Sequence, residues 1–278
     1  MAYADDCSGF ARLKLVRFLL SLVSIFILAH FLGSMAARIV GGDCAGPFAR
    51  YAIFHLLGFR YVGKVLHRSQ VSPRSLLGPI PAEFSLKKMV GLLWGSLTVN
   101  LGLAYLTVVM WMTFFGPQLL EILGGFEATS IMTAVVQFVG VVLLAPIFEE
   151  FVFRGIILGY ALQRWNDKTA IILSALLFAL GHAPNLLGPL VGGLILSLLY
   201  VRTRTLVAPM LVHMANNLFG FLMGIGDIFD STTASLLLET TDRTHLVIVG
   251  ITLLTVGLWP LIYFVKDSLK PKSIDLEG

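Results

Sequence analysis

The stretch Thr129-Ser-Ile-Met-Thr-Ala-Val-Val-Gln-Phe-Val-Gly-Val-Val-Leu-Leu-Ala-Pro146-Ile-Phe-Glu149-Glu150-Phe-Val-Phe-Arg154-Gly-Ile-Ile-Leu-Gly-Tyr-Ala-Leu-Gln-Arg164 decides how this chain is read. Between Glu127 and Arg164 its only charges are Glu149, Glu150 and Arg154. A bilayer crossing takes about 20 predominantly apolar residues. Counted back from Arg164 at 1.5 Å per residue, Glu149 lies about 20 Å along a helix, inside the hydrocarbon layer. An ionisable side chain at that depth is costly and marks a functional site by default.

The rest of the chain belongs to the same medium. Of its 278 residues, 57% are hydrophobic and 13% charged, where a soluble domain carries about 25% charged residues. Mean hydropathy is +0.87. Apolar blocks at about 18–33, 89–115, 129–147, 169–182, 187–201, 205–223 and 244–265 read as spans. Block 47–66 is interrupted by Arg50, Arg60 and Lys64 and reads either as an interfacial amphipathic helix or as a polar span. The expected fold is all-α, a polytopic transmembrane helix bundle with about seven or eight spans. Residues 1–88 form an expected N-terminal membrane-associated region with a basic loop. Residues 89–265 form the bundle, with a core at about 130–222, and 266–278 form a tail.

Charge placement orients the bundle. The net charge is +4, and the Lys and Arg residues fall mainly between apolar blocks. They act there as topology signals and headgroup contacts. No basic run alternates with aromatics, which excludes a nucleic-acid partner. With the basic stretch 60–88 placed inside, the turn holding Glu121 and Glu127 falls outside. Arg164 and Lys168, Arg202 and Arg204, and Lys266, Lys270 and Lys272 then return inside, while the acidic stretch 224–243 falls outside. The chain is thus expected to be a multi-pass integral membrane protein with a cytoplasmic C-terminus. The first block reads as a span or anchor rather than a cleaved signal. Its orientation depends on block 47–66. Cys7 and Cys44 make no disulfide framework and no CxxC pattern.

Three polar motifs break the apolar rule. Glu150 and Arg154 share a helix face at i, i+4, which suits a structural ion pair as well as a functional one. Glu149 points about 100° away and has no helix-local partner, which makes it a candidate general base or acid. Phe178-x-x-x-His182 follows, then His213-x-x-x-Asn217, whose spacing puts both residues on one face. His30 and His55 lack such company and read as packing residues, and Asn216 faces away from Asn217. Two carboxylates, two imidazoles and an amide suit water-mediated attack on a carbonyl with oxyanion stabilisation. There is no GxSxG turn, no cysteine near the cluster and no HExxH helix. Zinc remains a possible cofactor, with Glu149, His182 and His213 as its ligands.

Glu-Glu-x-x-x-Arg, Phe-x-x-x-His and His-x-x-x-Asn, in this order and each in an apolar helix, resemble the CPBP family of CAAX prenyl proteases and bacteriocin-processing or self-immunity proteins. The resemblance covers about residues 130–222. It implies that Glu149 and His182 activate the attacking water and that His213 and Asn217 hold the oxyanion. It implies supporting roles for Glu150 and Arg154, with Phe178 completing its motif. The family has been described both as metalloproteases and as metal-independent glutamate proteases. Because an Asn is a poor zinc ligand and a good hydrogen-bond donor, the expectation is that no cofactor is required. The expected function is an intramembrane endopeptidase acting near the C-terminus of a lipidated protein or membrane-inserted peptide. The alternative is a non-catalytic scaffold or bacteriocin self-immunity protein that uses the same cavity to bind a partner. A transporter is disfavoured by the absence of an inverted repeat.

Overall fold

In a computed structural model, the described backbone comprises residues 8–41, 45–82, 84–114, 131–183, 186–229 and 243–268. Their side chains are described except at 8, 11, 223–229 and 268. Cys7, Cys44, the turn with Glu121 and Glu127, Asp230, Glu239, Asp242, Lys270 and Lys272 lie outside the described residues, as does the side chain of Asp227.

Among the described residues there is no strand, and the expected helical bundle is observed. The helices are α1 (Leu15–Val40), α2 (Ala45–Arg68), α3 (Leu86–Phe114), α4 (Ile131–Leu162), α5 (Asp167–Leu180), α6 (Leu187–Thr203), α7 (Val207–Phe229) and α8 (Arg243–Ser268). Four of these, α1, α3, α4 and α8, are long and apolar enough to cross a membrane. The short helices α5 and α6 have 14 and 17 residues, or about 21 and 26 Å of length, less than the hydrocarbon thickness of about 30 Å. Large apolar side chains stand exposed along the outer helices, among them Leu20, Ile27 and Phe31 on α1 and Ile251, Trp259 and Ile262 on α8. Surfaces of that kind belong in lipid. The chain is an integral membrane protein.

Block 47–66 lies within a full 24-residue helix, α2. It pairs antiparallel with α1 and packs on α4, where Gly58 lies against Phe148 and Tyr51 lies against Gly140. A Cβ on Gly58 would come within 2.7 Å of the Phe148 ring, and one on Gly140 within 2.8 Å of the Tyr51 ring. Helices approach this closely in membranes because small residues let their backbones near each other. The same device joins α3 to α8 at two levels, Gly95 with Gly257 and Gly102 with Gly250. Behind α4, a core of Val62, Leu66, Phe10, Ile156, Leu158, Tyr200 and Leu206 is almost wholly shielded. The segment between α2 and α3 tucks under the start of α7, where Leu206 N–H donates to the Leu76 carbonyl and the Thr205 hydroxyl to that of Gly78.

Candidate active site

The helix that carries Glu149 and Glu150 is not uniform. α-Helical turns at Ile131–Gln137, Ala145–Glu150 and Gly159–Leu162 alternate with π-helical runs at Phe138–Leu144 and Phe151–Leu158. In a π-turn the hydrogen bond reaches five residues back, as from Ala145 N–H to the Gly140 carbonyl. Pro146 comes next and has no N–H to give. The carbonyl five residues before it is Val141, and Asn217 Nδ2 donates to that oxygen at 2.9 Å. Thus α7 is tied to α4 at the carbonyl that the proline leaves open, one helical turn beyond His213. One N–H of that amide is spent on Val141, and the other remains for the cavity that Asn217 lines.

Glu150 and Arg154 are fully shielded. Glu150 Oε1 accepts from Arg154 Nη1 and from His213 Nδ1, each at 2.8 Å. Arg154 also donates from Nη2 to the Gly193 carbonyl at 3.3 Å, and its guanidinium stands 4.5 Å over the Phe178 ring. That ring in turn meets His182 at 4.4 Å and His213 at 5.6 Å between centroids. Phe178 is therefore the common platform for the guanidinium and both imidazoles.

His182 lies just past the end of α5, in the turn after Leu180, rather than inside a helix. Its Nδ1 donates to the Phe178 carbonyl at 2.8 Å. Since a carbonyl only accepts, and Glu150 Oε1 accepts from Arg154, both imidazoles carry a hydrogen on Nδ1 and turn Nε2 elsewhere. Both Nε2 atoms turn to Glu149, and each is 3.7 Å from its Oε2. That oxygen is buried and has no hydrogen-bond partner. A separation of 3.7 Å is too long for a direct hydrogen bond and suits a shared water. The two Nε2 atoms are thereby no more than twice that distance apart, so the three motifs meet.

Beside them lies a cavity of about 370 Å³, lined by His182, His213, Asn217, Asn216 and Asn100 with apolar walls from Leu97, Leu101 and Leu196. Glu149 and Glu150 do not line it and reach it through the imidazoles. The sequence reading set Asn216 aside. Here Asn216 donates from Nδ2 to Ser96 Oγ and to the Val212 carbonyl, each at 3.0 Å, and Asn100 Nδ2 approaches its Oδ1 at 3.5 Å. Ser96 and Asn100 have the same i, i+4 spacing as the recognised motifs, and that spacing in an apolar helix was the available signal. His30 and His55 bond through Nδ1 to Phe26 and Tyr51 carbonyls on their own helices and do not line this cavity.

The donor set Glu149, His182 and His213 is of a kind that zinc accepts. Among the described residues, however, no group of three or more His, Cys, Asp or Glu side chains has metal-holding geometry.

The likeness read from the three motifs holds. Residues 131–219 match the model of the Rce1-like family, type II CAAX prenyl endopeptidases. The chain is 33% identical over 104 residues to YdiL of Bacillus subtilis, covering 37% of this chain and 41% of that protein. It is 32% identical over 113 residues to the membrane-embedded CAAX protease MroQ of Staphylococcus aureus, covering 38% and 43%. Over 85 residues it is 40% identical to the UPF0177 protein YaiH of Lactococcus lactis, covering 30% and 35%. The chain thus spans less than half the length of these relatives. No solved structure matches it.

Proposed function

We propose that the chain is an intramembrane peptidase in which Glu149 and His182 activate a water against a peptide carbonyl. The observation that carries this reading is the Glu149 Oε2 atom, buried, without a hydrogen-bond partner and 3.7 Å from two imidazole Nε2 atoms next to a cavity. A water between Glu149 and His182 would give its proton to the carboxylate as its oxygen bonds to the carbonyl carbon. The oxyanion would be received by the free N–H of Asn217 and by His213. His213 has its Nδ1 on Glu150 and donates from Nε2 only as an imidazolium. Glu149 would then hand its proton to the leaving amine as the C–N bond breaks.

The substrate class we assign is a lipidated protein or membrane-inserted peptide, cut near its C-terminus. The name of MroQ and the match to the Rce1-like model support it. No metal is required on this reading. The basic ends of the helices support a cytoplasmic C-terminus and cytoplasmic basic loops.

The test uses purified full-length protein in liposomes with three probes: a farnesylated peptide ending in a CAAX sequence, the same peptide unlipidated, and an apolar helical peptide. Cleavage by the wild type and not by Glu149→Gln is expected. Cleavage by both proteins alike would remove Glu149 from the chemistry. Cleavage of no probe would leave the cavity as a binding site for a partner, the role of a scaffold or immunity protein.

A further inference from the structure

A second cavity, of about 400 Å³, is not used by the peptidase reading. It is formed where the chain enters α1 and leaves α2. Five cations line it: Arg12 and Lys14 from the segment before α1, Arg17 from the first turn of α1, and Lys64 and Arg68 from the last turns of α2. None of the five forms an ion pair with a described residue. Asp5 and Asp6, the acids nearest in sequence, lie outside the described residues. Like charges repel, so five of them around one hollow are held together by something other than themselves.

What holds them is apolar packing. A single 3₁₀ turn, Ser8–Arg12, seats the fully buried Phe10 in the core behind α4. Gly9 lies directly against the Ser69 carbonyl, where no side chain fits. Phe18 is likewise buried and stacks on Tyr61 at 5.7 Å. These contacts bring Arg12–Arg17 beside Lys64–Arg68, although some fifty residues separate them. The polar groups of Ser69, Ser21 and Tyr61 complete the wall. Immediately beyond the cavity, Val16 and Leu20 open the lipid-facing side of α1, at 71% and 62% exposure.

We infer that this cavity binds the phosphate of an anionic phospholipid headgroup, with the acyl chains lying along α1. The chemistry is that of a polyanionic or monoanionic phosphate met by guanidinium and ammonium donors. The site's place at the foot of a membrane helix, with an apolar exposed flank above it, selects a lipid over a soluble phosphate. Basic pockets between helices at a membrane face are the setting in which headgroups are held. The inference is independent of whether the chain cleaves peptides.

The experiment is native mass spectrometry of the full-length protein released from nanodiscs of phosphatidylcholine containing one-fifth phosphatidylglycerol. The wild type is expected to retain phosphatidylglycerol. The variant Arg12→Gln/Arg17→Gln/Lys64→Gln/Arg68→Gln is expected to retain at least about tenfold less. A control that removes charge elsewhere on the same side, Arg74→Gln/Lys87→Gln, is expected to behave as wild type. Circular dichroism and melting in pure phosphatidylcholine check that each variant folds. If the quadruple variant does not fold, Lys64→Gln and Arg68→Gln, both exposed, are tested singly, each expected to lower retention. A second arm adds inorganic phosphate or glycerol phosphate at millimolar concentration, and the lipid is expected to stay bound. Equal retention by the variants, an equal loss in the control, or displacement by inorganic phosphate would each overturn the proposal. The last would make a free phosphate the ligand.

Discussion

Glu149 and Glu150 are neighbours of identical chemistry, yet their surroundings give them different work. Glu150 is fully buried and spends one oxygen on Arg154 and His213. Both have a buried Oε2 without a hydrogen-bond partner, but that of Glu149 faces two imidazole Nε2 atoms at 3.7 Å. On the proposed mechanism Glu149→Gln keeps shape and removes the base, so peptide cleavage should fall by roughly 10²–10⁴-fold while the melting temperature holds. Glu150→Gln strands a buried guanidinium and should cost about 3–5 kcal/mol of stability, read as a lowered melting temperature in detergent. Asn217→Ala removes the donor to Val141 and, on the proposed mechanism, one to the oxyanion. Activity should fall by about 10²–10³-fold, with a smaller loss of stability. Activity of the wild type should persist after treatment with a chelator. Loss that zinc restores would make His213 a ligand rather than a donor.

At the scale of the element, two features of the helices position these side chains. One is the alternation of α and π turns in α4, whose first π run ends at Leu144, just before Pro146, and leaves the Val141 carbonyl for Asn217. The spacing rules that identify Glu149 and Glu150 assume a uniform helix, so this alternation was not legible in the sequence. The other is close packing at glycines. A Cβ on Gly102 would lie 2.8 Å from the Gly250 carbonyl oxygen, a backbone atom that cannot swing aside. Gly102→Ala should therefore destabilise the α3–α8 pair by about 1–3 kcal/mol. Gly63→Ala on α2, where a Cβ meets nothing, should leave stability unchanged or raise it by up to about 1 kcal/mol. Thermal melts of the two variants side by side check the contrast.

For the whole molecule, block 47–66 forms the second arm of an antiparallel α1–α2 hairpin. The start of α1 and the end of α2 lie at one end of the bundle, together with the basic cavity. On the proposed orientation that end faces the cytoplasm. In a background without Cys7 and Cys44, Lys64→Cys and Lys87→Cys should resist a membrane-impermeant maleimide in intact cells and react after permeabilisation. Gly41→Cys, at the opposite end of the hairpin, should react in intact cells. Labelling of Lys64→Cys and Gly41→Cys alike would break the hairpin topology. The sequence by itself determined the medium, the helical class and the three motifs. Apolar block length and the cost of buried charge act locally along the chain, and a fixed periodicity puts Glu150 with Arg154 and His213 with Asn217. Periodicity does not relate one helix to another. Only the tertiary structure decided that Glu150 ties Arg154 to His213, that Phe178 carries both imidazoles, and that Asn100 and Ser96 join Asn216 at the cavity. It alone brought the cations of residues 12–17 and 64–68 around one hollow, because that meeting depends on the packing of Phe10 and Gly9 against distant parts of the chain.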